Sequence, residues 1–245
     1  MTLLTVSVLG VLIFSAATLY SSVGHAGASG YLAAMALFGV AANVMKPTAL
    51  VLNILVATVA AVKFYRAGCF SWSLFWPFAL TSVPFAFIGG RLSPDGSWYG
   101  IVVGGVLLYA AFRLAMARPP SSPVTKPMPL WAALGAGMAI GFVSGLTGVG
   151  GGIFLSPLLL LTGWAETRQA SGISAVFILA NSISGLLGHL AAATTLPLSL
   201  MAWAPAAVVG GWIGAEYGSQ RLDTTHIRWL LAVVLVIAGI KMILT

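Results

Sequence analysis

The sequence predicts an all-α polytopic membrane protein built from two inverted repeats of five helical segments, with glycine-broken hairpins meeting near mid-membrane. Three observations predict it. Of the 245 residues 60% are hydrophobic and only 6% charged, whereas a soluble surface carries about a quarter charged residues. The apolar runs show no sustained period-two alternation, which favours helices over an outer-membrane barrel. Finally, two glycine-rich stretches, Ser22 to Gly30 and Thr147 to Gly152, interrupt apolar sequence half a chain apart. Setting Gly24 over Gly148 also sets Gly27 over Gly151, and Val83 to Gly90 then falls on Val208 to Ala215 with one residue added to the offset. Such a duplication, with broken apolar segments at corresponding positions, points to a secondary transporter's binding site.

Apolar segments fall at about 3–20, 28–42, 47–64, 73–90 and 98–116, then at about 130–146, 151–163, 170–190, 198–216 and 227–244. Five per half is odd, so the second half enters the membrane from the opposite side. The first segment lacks a basic leader and corresponds to 130–146, so it is expected to stay in the mature fold. Residues 1–117 form the first repeat and 130–245 the second. Between them, 118–129 is too proline-rich for helix. Connections on the linker's side hold Lys63, Arg66, Arg113, Arg118, Lys126, Arg168, Arg221 and Arg228, against Lys46, Arg91 and Lys241 on the other. The linker is therefore expected in the cytoplasm and both termini outside.

The second segment of each half is short: fifteen residues reach roughly 22 Å, less than the roughly 30 Å hydrocarbon core. Whether the first two segments each span or fold as a re-entrant hairpin is left open by the charge count. Pro47 is expected at the start of the third segment. Trp72, Trp76, Trp98, Trp131, Trp164 and Trp229 near segment ends read as interfacial anchors.

The net charge of +7 comes from residues scattered singly at segment ends, which fits topology and not nucleic acid. The lone Cys69 excludes an intrachain disulfide and a thiolate metal site. No metal or cofactor is expected. Asp95, Glu166, Glu216 and Asp223 are the only acidic residues and all stand at or near segment ends. Cation and proton-coupled carriers place carboxylates in mid-membrane, so the substrate is expected to be an anion or a neutral solute.

Glycine loops suit an anion, because positive φ lets successive N–H groups converge and a following helix adds its positive end. The expected substrate-binding set is Gly24, His25, Gly27, Ser29 and Asn53 from the first half, with Gly148, Gly150, Gly151, Gly152, Ser174 and Asn181 from the second. His25 is ionisable within a loop. Ser174 and Asn181 are seven residues apart and share a helix face. Thr58, Ser171, Ser182 and Ser184 are further neutral donors on the third segments, which either bind substrate or join helices. Lys46 and Arg168, at the starts of the third segments, are expected as charges at the cavity mouths. The plainer alternatives are close helix packing for the glycines and snorkelling for the two cations.

Two rivals come from other classes. Gly27-Ala28-Ser29-Gly30 fits the GxSG pattern of rhomboid proteases, with His189 as base, which would make an intramembrane serine hydrolase. A second, serine-free loop at the equivalent position argues against it. A non-transporting scaffold has no need of paired broken helices.

The stretch Gly145-Leu146-Thr147-Gly148-Val149-Gly150-Gly151-Gly152-Ile153-Phe154-Leu155-Ser156-Pro157 resembles the signature of the sulfite exporter TauE/SafE family. Ser171-Gly172-Ile173-Ser174, Asn181, Gly188-His189 and Gly210 to Ala215 follow at spacings like the family's. The first half departs, with His25-Ala26-Gly27-Ala28 where the family is richer in glycine and Ala33 at the place of a proline. The resemblance implies a permease for sulfite, thiosulfate or an organosulfonate in a bacterial inner membrane. A soluble sulfur-metabolism partner at the cytoplasmic face is the accompanying expectation.

Overall fold

The structure, a computed structural model, describes residues 3–92, 97–116, 126–192, 200–220 and six positions between 236 and 244. Among these residues it is all-helical: α1 Leu3–Ser21, α2 Ala28–Leu37, α3 Ala42–Arg66, α4 Trp72–Arg91, α5 Ser97–Ala115, α6 Leu130–Thr147, α7 Gly152–Thr162, α8 Thr167–Ala191 and α9 Leu200–Gln220. Most of the linker and of the tenth apolar segment lie outside the described residues. So do Asp95, Arg118, Arg221, Asp223, Arg228, Trp229 and Lys241.

Helices α1, α3, α4, α6 and α8 are long and apolar enough to cross a membrane. Helices α2 and α7 have 10 and 11 residues, about 15–17 Å, half the hydrocarbon thickness. The first segment of each half is thus full length and the second is a half-helix. Helix α3 starts at Ala42, ahead of the expected start at Pro47. Pro47 lies inside it, as Pro77 and Pro84 lie inside α4 and Pro205 inside α9. Apolar helices tolerate this because neighbouring helices satisfy the freed carbonyls.

Small residues set the packing. On α6, a Cβ added at Gly137, Gly141 or Gly145 would strike α4 backbone at Phe78, Ser82 or Ala86. On α9, Gly210, Gly214 and Gly218 stand in the same way against Phe14, Thr18 and Ser22, the last just past the end of α1. Both stripes have the four-residue period of small-xxx-small interfaces, and both registers run parallel. By contrast α3 and α8 are antiparallel: Leu50 reaches Gly185, while Cys69, just past α3, meets Gly172. Helix α2 packs on α3, and α7 on α8.

The two main cores exchange a helix between halves. One gathers Leu9 and Ile13 of α1, Tyr31 of α2, Leu52 of α3, Leu107 of α5 and Trp203 of α9. The other gathers Phe78 of α4, Ala133 of α6, Leu155 of α7 and Phe177 of α8. Each half's fourth helix therefore completes the other half's core.

Two alanine substitutions on α6 test this packing. Gly141→Ala should destabilise by about 1–3 kcal/mol through overpacking. Gly135→Ala, whose Cβ meets nothing within 4 Å, should be neutral or stabilise by about 0.5–1 kcal/mol. Thermal unfolding of both variants in detergent separates them, and equal shifts would contradict the interface.

Candidate functional site

Five of the loop glycines, Gly24, Gly27, Gly148, Gly150 and Gly151, have φ between 76° and 102°, where a side chain is strained. They turn the chain out of α1 and α6 and into the half-helices α2 and α7. The loops are held from across the molecule. A Cβ at Gly24 would strike the backbone of Ser171 on α8, and one at Gly148 would come within 3.1 Å of the Lys46 carbonyl on α3.

His25 joins the two half-helix starts. Its Nε2 lies 3.0 Å from the Gly152 carbonyl and 3.1 Å from Ser156 Oγ. A carbonyl only accepts, so Nε2 carries the ring proton. Ser156 Oγ in turn lies 2.6 Å from Ser174 Oγ.

The first loop is closed by its own neighbours. Ser29 Oγ donates to the Tyr20 hydroxyl at 2.9 Å, and the Tyr31 hydroxyl donates to the Ala26 carbonyl. The Tyr31 ring occupies the place where Gly27 would carry a Cβ. Ser29 and Gly27 therefore border a space filled by tyrosine.

Around the second loop the contacts are polar and incomplete. Positions a Cβ would take at Gly150 are 2.8 Å from Asn53 Nδ2 and 3.1 Å from Ser182 Oγ. At Gly151 the corresponding neighbours are Ile140, Phe177 and, at 3.3 Å, Asn181 Nδ2. Asn53 Nδ2 donates to the Val149 carbonyl at 3.3 Å. Asn181 Oδ1 accepts from Ser82 Oγ at 2.6 Å. What remains, among the described residues, includes Asn53 Oδ1, Asn181 Nδ2 and Ser182 Oγ, all buried and without a hydrogen-bond partner. All three residues are 0% exposed. Buried polar atoms are otherwise nearly always paired, and here three unpaired ones surround the N-terminus of α7, whose first amides have no intrahelical acceptor.

The remaining expected residues lie elsewhere. Lys46 does not stand at an open mouth: it is 2% exposed. Its ammonium donates to the carbonyls of Gly90 and Leu92, each at 2.8 Å, where α4 ends. A buried ammonium needs such acceptors, and the end of α4 offers carbonyls that have lost their intrahelical donors. Arg168 is exposed on the first turn of α8. His189 is buried beside Lys46 near the end of α8, while Ser29 is bonded to Tyr20, so the serine–histidine pair of the hydrolase reading is not formed. Glu166 and Glu216 are exposed, and Glu216 pairs with Lys63.

Sequence reasoning did not select Ser82, Ser156, Tyr20 or Tyr31, and it named Ser182 only as a spare donor. Tyr20 and Tyr31 flank the first loop as apolar-segment residues, and nothing in spacing marks them as its filling. Ser156, inside the second glycine motif, was the one with a usable signal.

The sequence profile of the sulfite exporter TauE/SafE family matches residues 9–242. The chain belongs to this family. It is similar to the probable membrane transporter protein y4hK of Sinorhizobium fredii, 39% identical over 239 residues, which cover 96% of this chain and 97% of the relative. It is also similar to the probable membrane transporter protein YunE of Bacillus subtilis, at 24% identity over 76% of this chain and 74% of the relative. No solved structure gives a significant match. The protein is a multi-pass membrane transporter and not an enzyme.

Lys46 supplies the stability test. Lys46→Met keeps the aliphatic stem and leaves the carbonyls of Gly90 and Leu92 unpaired, at about 1–3 kcal/mol. Thermal unfolding in detergent should register that loss, and an unchanged midpoint would show that the ammonium does not hold the end of α4.

Proposed function

We propose that this transporter moves a small sulfur-containing anion, sulfite, thiosulfate or an organosulfonate, across the bacterial inner membrane by alternating access. The observation that carries the reading is the buried cluster of Asn53 Oδ1, Asn181 Nδ2 and Ser182 Oγ around the start of α7, each without a partner. Buried donors beside a helix N-terminus make an anion site without a buried cation. Gly148, Gly150, Gly151 and Gly152 supply the backbone. Gly24, Gly27 and Ser29 frame the equivalent loop, and His25 and Ser174 link that loop to α7 and α8.

The reading includes a pseudo-two-fold between residues 1–117 and 130–245, with 118–129 as the linker. Its support is the pattern of pairings: α6 on α4 is matched by α9 on α1, and α7 on α8 by α2 on α3. Gly24 against Ser171 is likewise matched by Gly148 against Lys46. Rocking one repeat against the other would open the site alternately to each side. Both termini would lie in the periplasm and the linker in the cytoplasm, where Arg168 attracts substrate and a soluble sulfur-metabolism protein docks.

Reconstituted proteoliposomes test this with labelled sulfite, thiosulfate and an organosulfonate against a cation control. Saturable flux of at least one sulfur anion is expected. Asn181→Leu and Ser182→Ala should each raise its KM about tenfold by removing a hydrogen bond to a charged ligand. Cation flux, or anion flux indifferent to both substitutions, would overturn the reading. Gly151→Val is a poorer probe, because valine there must adopt φ near 84° against Ile140 and Phe177.

A further inference from the structure

We infer that the site at the start of α7 takes its anion in the singly charged, still protonated form, with Asn53 Oδ1 accepting a hydrogen bond from the ligand's hydroxyl. The inference rests on the anion reading of that site and goes on to name the protonation state.

Asn53 is oriented by its surroundings. Its Nδ2 faces the Val149 carbonyl at 3.3 Å. A carbonyl only accepts, so the amide cannot be turned the other way. Oδ1, bonded to the same carbon, is therefore an acceptor held at the loop. It is buried and unpaired. A fully ionised oxyanion, which only accepts, would leave that oxygen stranded and face it with negative charge. A ligand that bears one O–H satisfies it while its other oxygens accept from Asn181 Nδ2, Ser182 and the first amides of α7.

Charge gives the same answer independently. Among the described residues the donors around the loop are neutral, and the ammonium of Lys46 is committed to the carbonyls of Gly90 and Leu92. The desolvation cost of an ion grows as the square of its charge, and it is offset only by strong pairing. Neutral donors can hold a monoanion, whereas a dianion here would lack a counter-charge. Hydrogensulfite in its hydroxyl isomer has both properties. An organosulfonate has the single charge without the proton, and sulfate and thiosulfate have neither. The expected order of affinity is hydrogensulfite, then organosulfonate, then the two dianions.

Among the described residues, His25, Lys46 and His189 are the groups that could titrate near the site. His25 reaches in from the first loop, its ring 3.1 Å from the Cβ position of Gly152. Lys46 of α3 passes Gly148, and His189 of α8 stands beside Lys46. Helices α4 and α6 bring the neutral Ser82 and Ile140.

The experiment is equilibrium binding to the purified wild-type protein in nanodiscs, from about pH 6 to about pH 9, with sulfite, methanesulfonate and sulfate. Apparent sulfite affinity should fall about tenfold per pH unit once the pH exceeds the ligand's own pKa. Methanesulfonate, a monoanion throughout, should bind more weakly with a flat profile, which excludes protein titration as the cause. Sulfate should bind weakest at every pH. In Asn53→Leu the preference for hydrogensulfite over methanesulfonate at acid pH should disappear. Sulfite affinity that holds or rises with pH, or sulfate binding as tightly as hydrogensulfite, would overturn the inference while leaving the anion site standing. Binding of none of the three would instead overturn the anion site itself.

Discussion

Backbone that leaves its helix inside an apolar protein must find partners, and the structure depends on how the two glycine loops find theirs. Each loop packs against the other half of the chain. Asn53 of α3 donates to the Val149 carbonyl, while Lys46 stands behind Gly148 and Ser171 of α8 behind Gly24. His25 of the first loop meets the Gly152 carbonyl. The dependence is unequal: the amides of Val23, Gly24 and His25 bond back to Tyr20 and Ser21 within the first half, whereas the Val149 and Gly152 carbonyls of the second loop take their side-chain donors from the first half. The exchanged fourth helices follow the same logic. Helix α4 covers α6 and α9 covers α1 through glycine stripes that bring backbones together, so each half's core is completed by the other.

The two loops have different contents. Tyr31 and Tyr20 fill the first, with their hydroxyls on Ala26 and Ser29. Among the described residues no aromatic hydroxyl enters the second, and its polar neighbours keep unused atoms. Under the proposed duplication the two loops are two candidate sites, and the unpaired polar atoms favour the second. Placing the anion at α7 and not at α2 follows from that difference.

Much of the fold was legible because the solvent is apolar. Helix ends track the apolar runs to within five residues, α2 ending at Leu37 where the apolar run reaches 42, and the shortness of α2 and α7 could be counted directly. The start of α3 was misplaced because Pro47 reads as a helix opener, while in this packed interior it sits within the helix. The site was legible as a loop and not as a set of contacts. Glycine announces positive φ, and a seven-residue spacing puts Ser174 and Asn181 on one face. Ser182 is one position on from Asn181, so no periodicity argument selects both, yet the two reach Gly150 and Gly151 because the loop wraps the helix. The role of Lys46 was hidden for a related reason: its partners are backbone carbonyls at the end of α4, and carbonyls carry no sequence signal.

The central claim is that a small oxyanion binds at the start of α7. The most direct measurement is a crystal structure of the protein grown with selenite, located by the anomalous signal of selenium. The account predicts one anomalous peak within hydrogen-bond distance of Asn181 Nδ2 and Ser182 Oγ, beside the amides of Gly150 to Gly152. A peak at the first loop against Tyr31, or an empty cluster with the anion bound elsewhere, would contradict it.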